Sequence, residues 1–143
     1  MSALYADSSA LGRVYLGDEP GWLELESLLF GADAFVATSE LSSIELASAA
    51  KDAERAGRIV SADVLLTTVE ADLRGQIQLI RLDPESVVPQ ARELVLGYRL
   101  RALDAIHLAV ALEFRASEED EVTFVTRDAD QAAAAKALGF ALL

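Results

Sequence analysis

Hydrophobic positions in this chain alternate between short unbroken runs and stretches where they recur every three or four residues. The runs at residues 3–6, 34–38, 77–82, 121–126 and 140–143 predict strands. Helical spacing between them predicts helices over 10–16, 22–30, 39–55, 60–73 and 129–138, and two more in the segment from Asp83 to Ser117. Trp22, Leu25, Leu28 and Leu29 form one apolar stripe. Leu41, Ile44 and Ala47, with Ala49 or Ala50, form a second, and Val60, Val64, Leu65, Val69 and Leu73 a third. Punctuation supports these boundaries. Pro20 is suited to open the helix at 22, and Asp83-Pro84 is an N-cap followed by proline at the first helical position. Pro89 marks a break or a restart, and Gly139 a C-cap. Strands alternating with helices predict an α/β fold, with a central, mainly parallel sheet of four to five strands flanked by helices. Residues 1–143 form a single domain.

The most apolar helix begins at Leu103-Asp104-Ala105-Ile106-His107-Leu108-Ala109. Nearly all of its surface is apolar, so it is buried, and Asp104 stands in its first turn. Three further carboxylates hold comparable places. Asp7 ends the first strand, Glu45 shares a helix face with Leu41 and Ala49, and Asp128 follows the fourth strand. In a parallel sheet Asp7 and Asp128 lie at the same rim, where such folds place their sites. Each has a plainer reading: Asp7, Asp104 and Asp128 as N-caps, and Glu45 as a solvated helix carboxylate. Asp130 competes with Asp128 for any role in binding. By spacing alone the set is a possible carboxylate metal site. Carboxylates converging in a cleft need a cation to stay ionised together.

Composition narrows the chemistry. The chain has no cysteine and one histidine, which excludes thiolate zinc sites and any site built on two imidazoles. Oxygen ligands alone favour Mg²⁺ or Mn²⁺. Net charge is −12, from 24 acidic against 12 basic residues, which argues against sequence-independent nucleic-acid affinity. It fits a cation site and a basic protein partner. Ten of the twelve basic residues are arginine, suited to local bidentate phosphate contacts. No apolar run reaches the ~20 residues of a membrane span, and the N-terminus lacks the basic region of a signal peptide.

Tyr5-Ala6-Asp7-Ser8-Ser9-Ala10-Leu11 resembles the opening motif of PIN domains, and the run from Arg13 to Gly21 looks like its continuation. The Ser39–Glu45 run is similar to the family's second motif, Leu103-Asp104-Ala105-Ile106-His107-Leu108-Ala109 to its third, and Thr126-Arg127-Asp128 to its fourth. The resemblance covers essentially the whole chain, in the family's order. It implies a PIN-like three-layer fold and a metal-dependent endoribonuclease, most like the toxin half of VapBC-type toxin–antitoxin pairs, in a prokaryotic cytoplasm. Asp7, Glu45, Asp104 and Asp128 carry over as the acidic Mg²⁺/Mn²⁺ site, Asp130 less securely, with Ser8 and Thr126 as polar supports. Arg13, Arg99 and Arg101 carry over as phosphate contacts, against an equal case for plain ion pairing. The lone His107 is read as orienting a neighbour by a hydrogen bond rather than as a general base.

The mechanism so implied is in-line attack of a metal-activated water on an RNA phosphodiester, leaving 5′-phosphate and 3′-hydroxyl ends. The implied partners are RNA, a small antitoxin with a basic inhibitory tail, and a second copy of the chain. Helices 39–55 and 60–73 are candidates for the antitoxin groove and the homodimer face. Two alternatives remain: a phosphoacceptor module with Asp7 as acceptor, and a noncatalytic interaction domain. The first is disfavoured because Lys136 lies within a helix; a haloacid-dehalogenase-like phosphatase is disfavoured too, because Ser9, not Asp, stands two residues after Asp7.

Overall fold

The computed structural model describes residues 2–143. In chain order the elements are β1 (Ser2–Ala6), α1 (Ser8–Leu16), α2 (Trp22–Leu29), β2 (Ala34–Ser39), α3 (Leu41–Arg55) and α4 (Ala62–Arg74). They continue with β3 (Ile77–Ile80), α5 (Pro84–Gly97), α6 (Ala102–Ser117), β4 (Val122–Val125), α7 (Ala129–Ala137) and β5 (Ala141–Leu142). The five strands form one parallel sheet in the order β3-β2-β1-β4-β5. From β1 the chain winds outward through β2 to β3, then crosses back to place β4 on the other side of β1. The β1/β4 boundary is therefore the point where winding reverses, and the carboxyl ends of these two strands flank a crevice. The Asp7 N–H, donating to the Val125 carbonyl at 3.1 Å, carries the pairing to the rim of that crevice.

Strand alternation divides the interior into two layers. Ala3 and Tyr5 of β1, with Val122 and Phe124 of β4, pack against α5, α6 and α7. Leu4 and Ala6, with Val36, Ile77 and Val125, pack against α1, α2, α3 and α4. Helix α6 is the main support of the first layer: Ala105, His107, Leu108, Ala109, Val110 and Ala111 are all buried.

Several local expectations need correction. In α3 the buried residues are Ser42, Leu46, Ala50 and Ala53, while Ile44 is exposed. The helix is turned away from the stripe read from the sequence because Ser42 faces inward, its hydroxyl 2.7 Å from that of Thr38. Helix α4 starts two residues later than predicted, capped by Ser61, which accepts from the Val64 N–H. That leaves Val60 (99% exposed) and Val64 (71%) outside the core. Pro20 stays in the turn before α2, and Gly21 reverses the chain at φ +88°, a conformation a side chain would strain. Pro89 lies inside an unbroken α5. It forfeits only the hydrogen bond to the Glu85 carbonyl in the first turns of the helix, where the loss is easily absorbed. Gly139 lies one residue beyond the observed C-cap, Leu138.

Candidate active site

Asp7 is held from three directions. Its Oδ1 accepts from the Ala10 N–H at 3.0 Å, so it is the N-cap of α1, and from the Ser9 hydroxyl at 2.7 Å. Its Oδ2 accepts from the Thr126 hydroxyl at 2.5 Å. Thr126, just past β4, in turn accepts from the Asp128 N–H at 3.1 Å, so the ends of β1 and β4 are tied through side chains. Asp128 caps α7 with Oδ1, accepting from the Gln131 N–H at 2.8 Å, and its Oδ2 faces the crevice. Cap and site readings are therefore compatible at Asp7 and Asp128. Asp104 is not a cap. It is the third residue of α6, whose N-cap is Arg101, and its carboxylate turns back to accept from Arg101 Nε at 3.1 Å. The Gln131 side-chain amide donates to the Asp104 carbonyl at 3.0 Å and fixes α6 against α7. Glu45 enters from α3 with Oε1 2.6 Å from His107 Nε2.

The polar support differs in one residue from the sequence reading. Ser9 is the residue that bonds Asp7, and its hydroxyl also accepts from the Arg127 N–H at 2.9 Å. Ser8 instead helps to hold the Glu45 carboxyl low. The signal for Ser9 was its place two residues after Asp7, a spacing at which a hydroxyl folds back on the preceding carboxylate.

Electrostatics separate the carboxylates. Burial raises the Asp7 carboxyl, against the pull of Thr126, Ala10 and Ser9. Burial also raises Asp104, with a further push from the charge of Asp128, while Arg101 opposes both. Glu45 goes the other way. Burial pushes it up, but its hydrogen bond and attraction to His107, helped by Ser8 and Arg101, leave it lowered.

Two clefts meet at Asp128. One, of about 320 Å³, is lined by Ser8, Ser9, Arg13, Glu19 and Arg127 among others. The second, about 360 Å³, is lined by Arg99, Arg101, Asp104 and Asp130. Arg13 reaches the first cleft but is engaged there, 2.9 Å from Glu19 and donating to the Pro20 carbonyl at 3.1 Å. Arg101 is 81% exposed and spans Asp104 at 3.1 Å and Asp128 at 3.5 Å.

Among the described residues, no three His, Asp or Glu side chains converge in this arrangement to enclose a metal ion. The donor set nevertheless fits a hard divalent cation. It is all oxygen, two of its carboxyls are raised, and a guanidinium already stands as counter-charge between Asp104 and Asp128.

Comparison with known proteins places this arrangement in a family. The chain is similar in fold to a toxin–antitoxin complex component from Klebsiella pneumoniae (TM-score 0.65, 22% identity, covering 92% of this chain and 91% of that one). It is also similar to a chain of VapBC2 from Rickettsia felis, solved bound to a DNA fragment from its promoter (TM-score 0.64, 12% identity, 98% and 97% covered). A third likeness is to FitAcB from Neisseria gonorrhoeae (TM-score 0.58, 18% identity, 98% and 96% covered). No curated protein matches the sequence. The sequence profile of the PIN domain matches residues 4–137, and the chain, with its parallel sheet and acidic rim, belongs to the PIN domain family.

Proposed function

We propose that this protein is a Mg²⁺- or Mn²⁺-dependent endoribonuclease, the toxin of a type II toxin–antitoxin pair of the VapBC kind. The observation that carries the reading is the linkage of the carboxylates at the β1/β4 crevice of a PIN fold: Asp7 is tied to Asp128 through Thr126, Arg101 spans Asp104 and Asp128, and His107 holds Glu45. Asp7, Glu45, Asp104 and Asp128 would hold the cation, with Asp130 at the margin. Such an ion, when bound, polarises a water nucleophile and neutralises charge on the scissile phosphodiester. The chain's own groups do the rest. Thr126 holds one Asp7 oxygen, Ser9 and the Ala10 N–H hold the other, and Gln131 sets the height of α6 against α7. Arg13 and Arg127 line one cleft, Arg99 and Arg101 the other, so an RNA strand crossing Asp128 meets guanidinium groups on both sides.

The fold neighbours are toxin–antitoxin assemblies, which supports an antitoxin partner. The carboxylate pair already accepts a guanidinium, so an arginine from a basic antitoxin tail would fit it too. Exposed Ile44, Val60 and Val64 on and beside α3 and α4 suit an apolar partner helix, and Val88, Leu96 and Leu103 on α5 and α6 suit a second copy. No helix among the described residues is long and apolar enough to cross a membrane, in keeping with a cytoplasmic toxin.

The test is RNA cleavage with and without divalent metal. Wild type should require the metal, and Asp104→Asn should lose at least about a hundredfold while its circular dichroism stays unchanged, because loss of a mere supporting group at a metal site already costs 10–100-fold. Cleavage in a metal chelator would reject the reading. Arg101→Gln gives a separate outcome. Removing the counter-charge should tighten Mn²⁺ binding severalfold by calorimetry, while weakened phosphate contact raises KM for RNA. Unchanged Mn²⁺ affinity would show that Arg101 does not compete with the cation.

A further inference from the structure

A buried chain of polar groups behind Glu45 takes no part in the roles described so far. Tyr5 in β1 and His107 in α6 are both essentially inaccessible to solvent. The Tyr5 hydroxyl lies 2.9 Å from His107 Nδ1, and His107 Nε2 lies 2.6 Å from Glu45 Oε1. Three residues from three elements, 102 and 62 positions apart in sequence, are thus joined in line.

The direction of this chain follows from donor arithmetic. The Glu45 carboxylate can only accept, so the His107 ring proton sits on Nε2, and Nδ1 is the acceptor that the Tyr5 hydroxyl meets. An Nδ1 that accepts leaves the ring proton on Nε2, where it donates to the Glu45 carboxylate. No buried side-chain nitrogen or oxygen among the described residues lacks a partner, so the chain is closed at every step. Tyr5 is itself immobilised, its ring stacked on Phe124 at 5.5 Å and edge-on to His107 at 6.1 Å.

We infer that Tyr5 and His107 are positioning residues: a one-way hydrogen-bond relay from the sheet through α6 that aims the Glu45 carboxylate into the crevice. Glu45 is half-buried, and among the described residues His107 is its one hydrogen-bond partner, so without the relay its side chain would sample several rotamers. A preset rotamer lowers the entropy lost when the carboxylate engages a cation. The inference rests on the proposed role of Glu45 as a ligand.

The chain's single histidine makes a direct test simple. A long-range ¹H–¹⁵N spectrum of the metal-free protein should show the ring proton of His107 on Nε2, and Tyr5→Phe, which removes only a hydroxyl, should erode that preference. A proton on Nδ1 in wild type overturns the relay whether or not the protein is a nuclease. Mn²⁺ affinity by calorimetry is the second readout. Tyr5→Phe should weaken it about tenfold and His107→Leu by 10–100-fold, the usual range for groups behind a ligand, with His107→Gln recovering part of the loss because it keeps a donor. Combined with Glu45→Gln, Tyr5→Phe should cost nothing further. Additive losses would make Tyr5 a packing residue only and overturn the inference. Absence of Mn²⁺ binding in wild type would instead reject the ligand role on which the inference depends, and with it the inference.

Discussion

Asp7→Asn should abolish RNA cleavage and at the same time yield a more stable protein at neutral pH. The loss of activity, at least about a hundredfold, follows from removing a proposed ligand. The gain in stability follows from linkage. Because burial raises Asp7 in the folded state, the native protein binds more protons than the unfolded chain between the ordinary carboxylate value, about 3.9, and the raised one. Stability contributed by this group is therefore full at low pH and falls as pH rises through the raised value. Asparagine carries no charge to desolvate, and its carbonyl oxygen can still accept from the Ala10 N–H and the Ser9 hydroxyl. Relieving such a site typically gains about 1 kcal/mol. Thermal melts should show the variant above wild type at pH 7, with the gap closing towards pH 4. A variant that melts below wild type at pH 7 would mean that the Thr126 contact outweighs the cost of the buried charge.

The second large effect falls on stability. Phe124→Ala should cost roughly 3–5 kcal/mol, the usual range for truncating a fully buried aromatic. Phe124 sits in β4 between Tyr5 at 5.5 Å and Phe140 at 5.6 Å, so its removal opens a cavity that two rings cannot fill without leaving their rotamers. Phe124→Leu should cost much less, about 1 kcal/mol, because most of the volume is kept. Chemical denaturation monitored at two wavelengths measures both. Equal costs for Ala and Leu would indicate that ring geometry, not volume, is what the layer requires.

The part of this molecule that is legible in the sequence is the part set by local chemistry. Each strand run was found within two residues, and Asp7, Asp83 and Asp128 were recognisable as caps because an acceptor placed before a helix has a fixed partner three or fewer residues on. The phase of α3 was not legible. Its alanines and serines differ little in hydropathy, and the buried face runs through Ser42, Leu46, Ala50 and Ala53, with Ser42 bonded to Thr38. Both Ser8 and Ser9 follow Asp7, and the start of α1 decides that Ser9 is the one whose hydroxyl curls back to it. The Arg101 bridge between Asp104 and Asp128, and the link from Tyr5 to Glu45, depend on elements far apart in the chain. The order of the strands decides those contacts, and that order is not written in any one segment.

That order also bears on synthesis. β1 leaves the ribosome well before its neighbour β4, which, with Thr126 and Asp128, is made more than a hundred residues later. A nascent chain that has reached β3 already contains Asp7 and Glu45 but lacks the other wall of the crevice. The acidic centre is thus a late product of translation, complete only once Asp128 has been added.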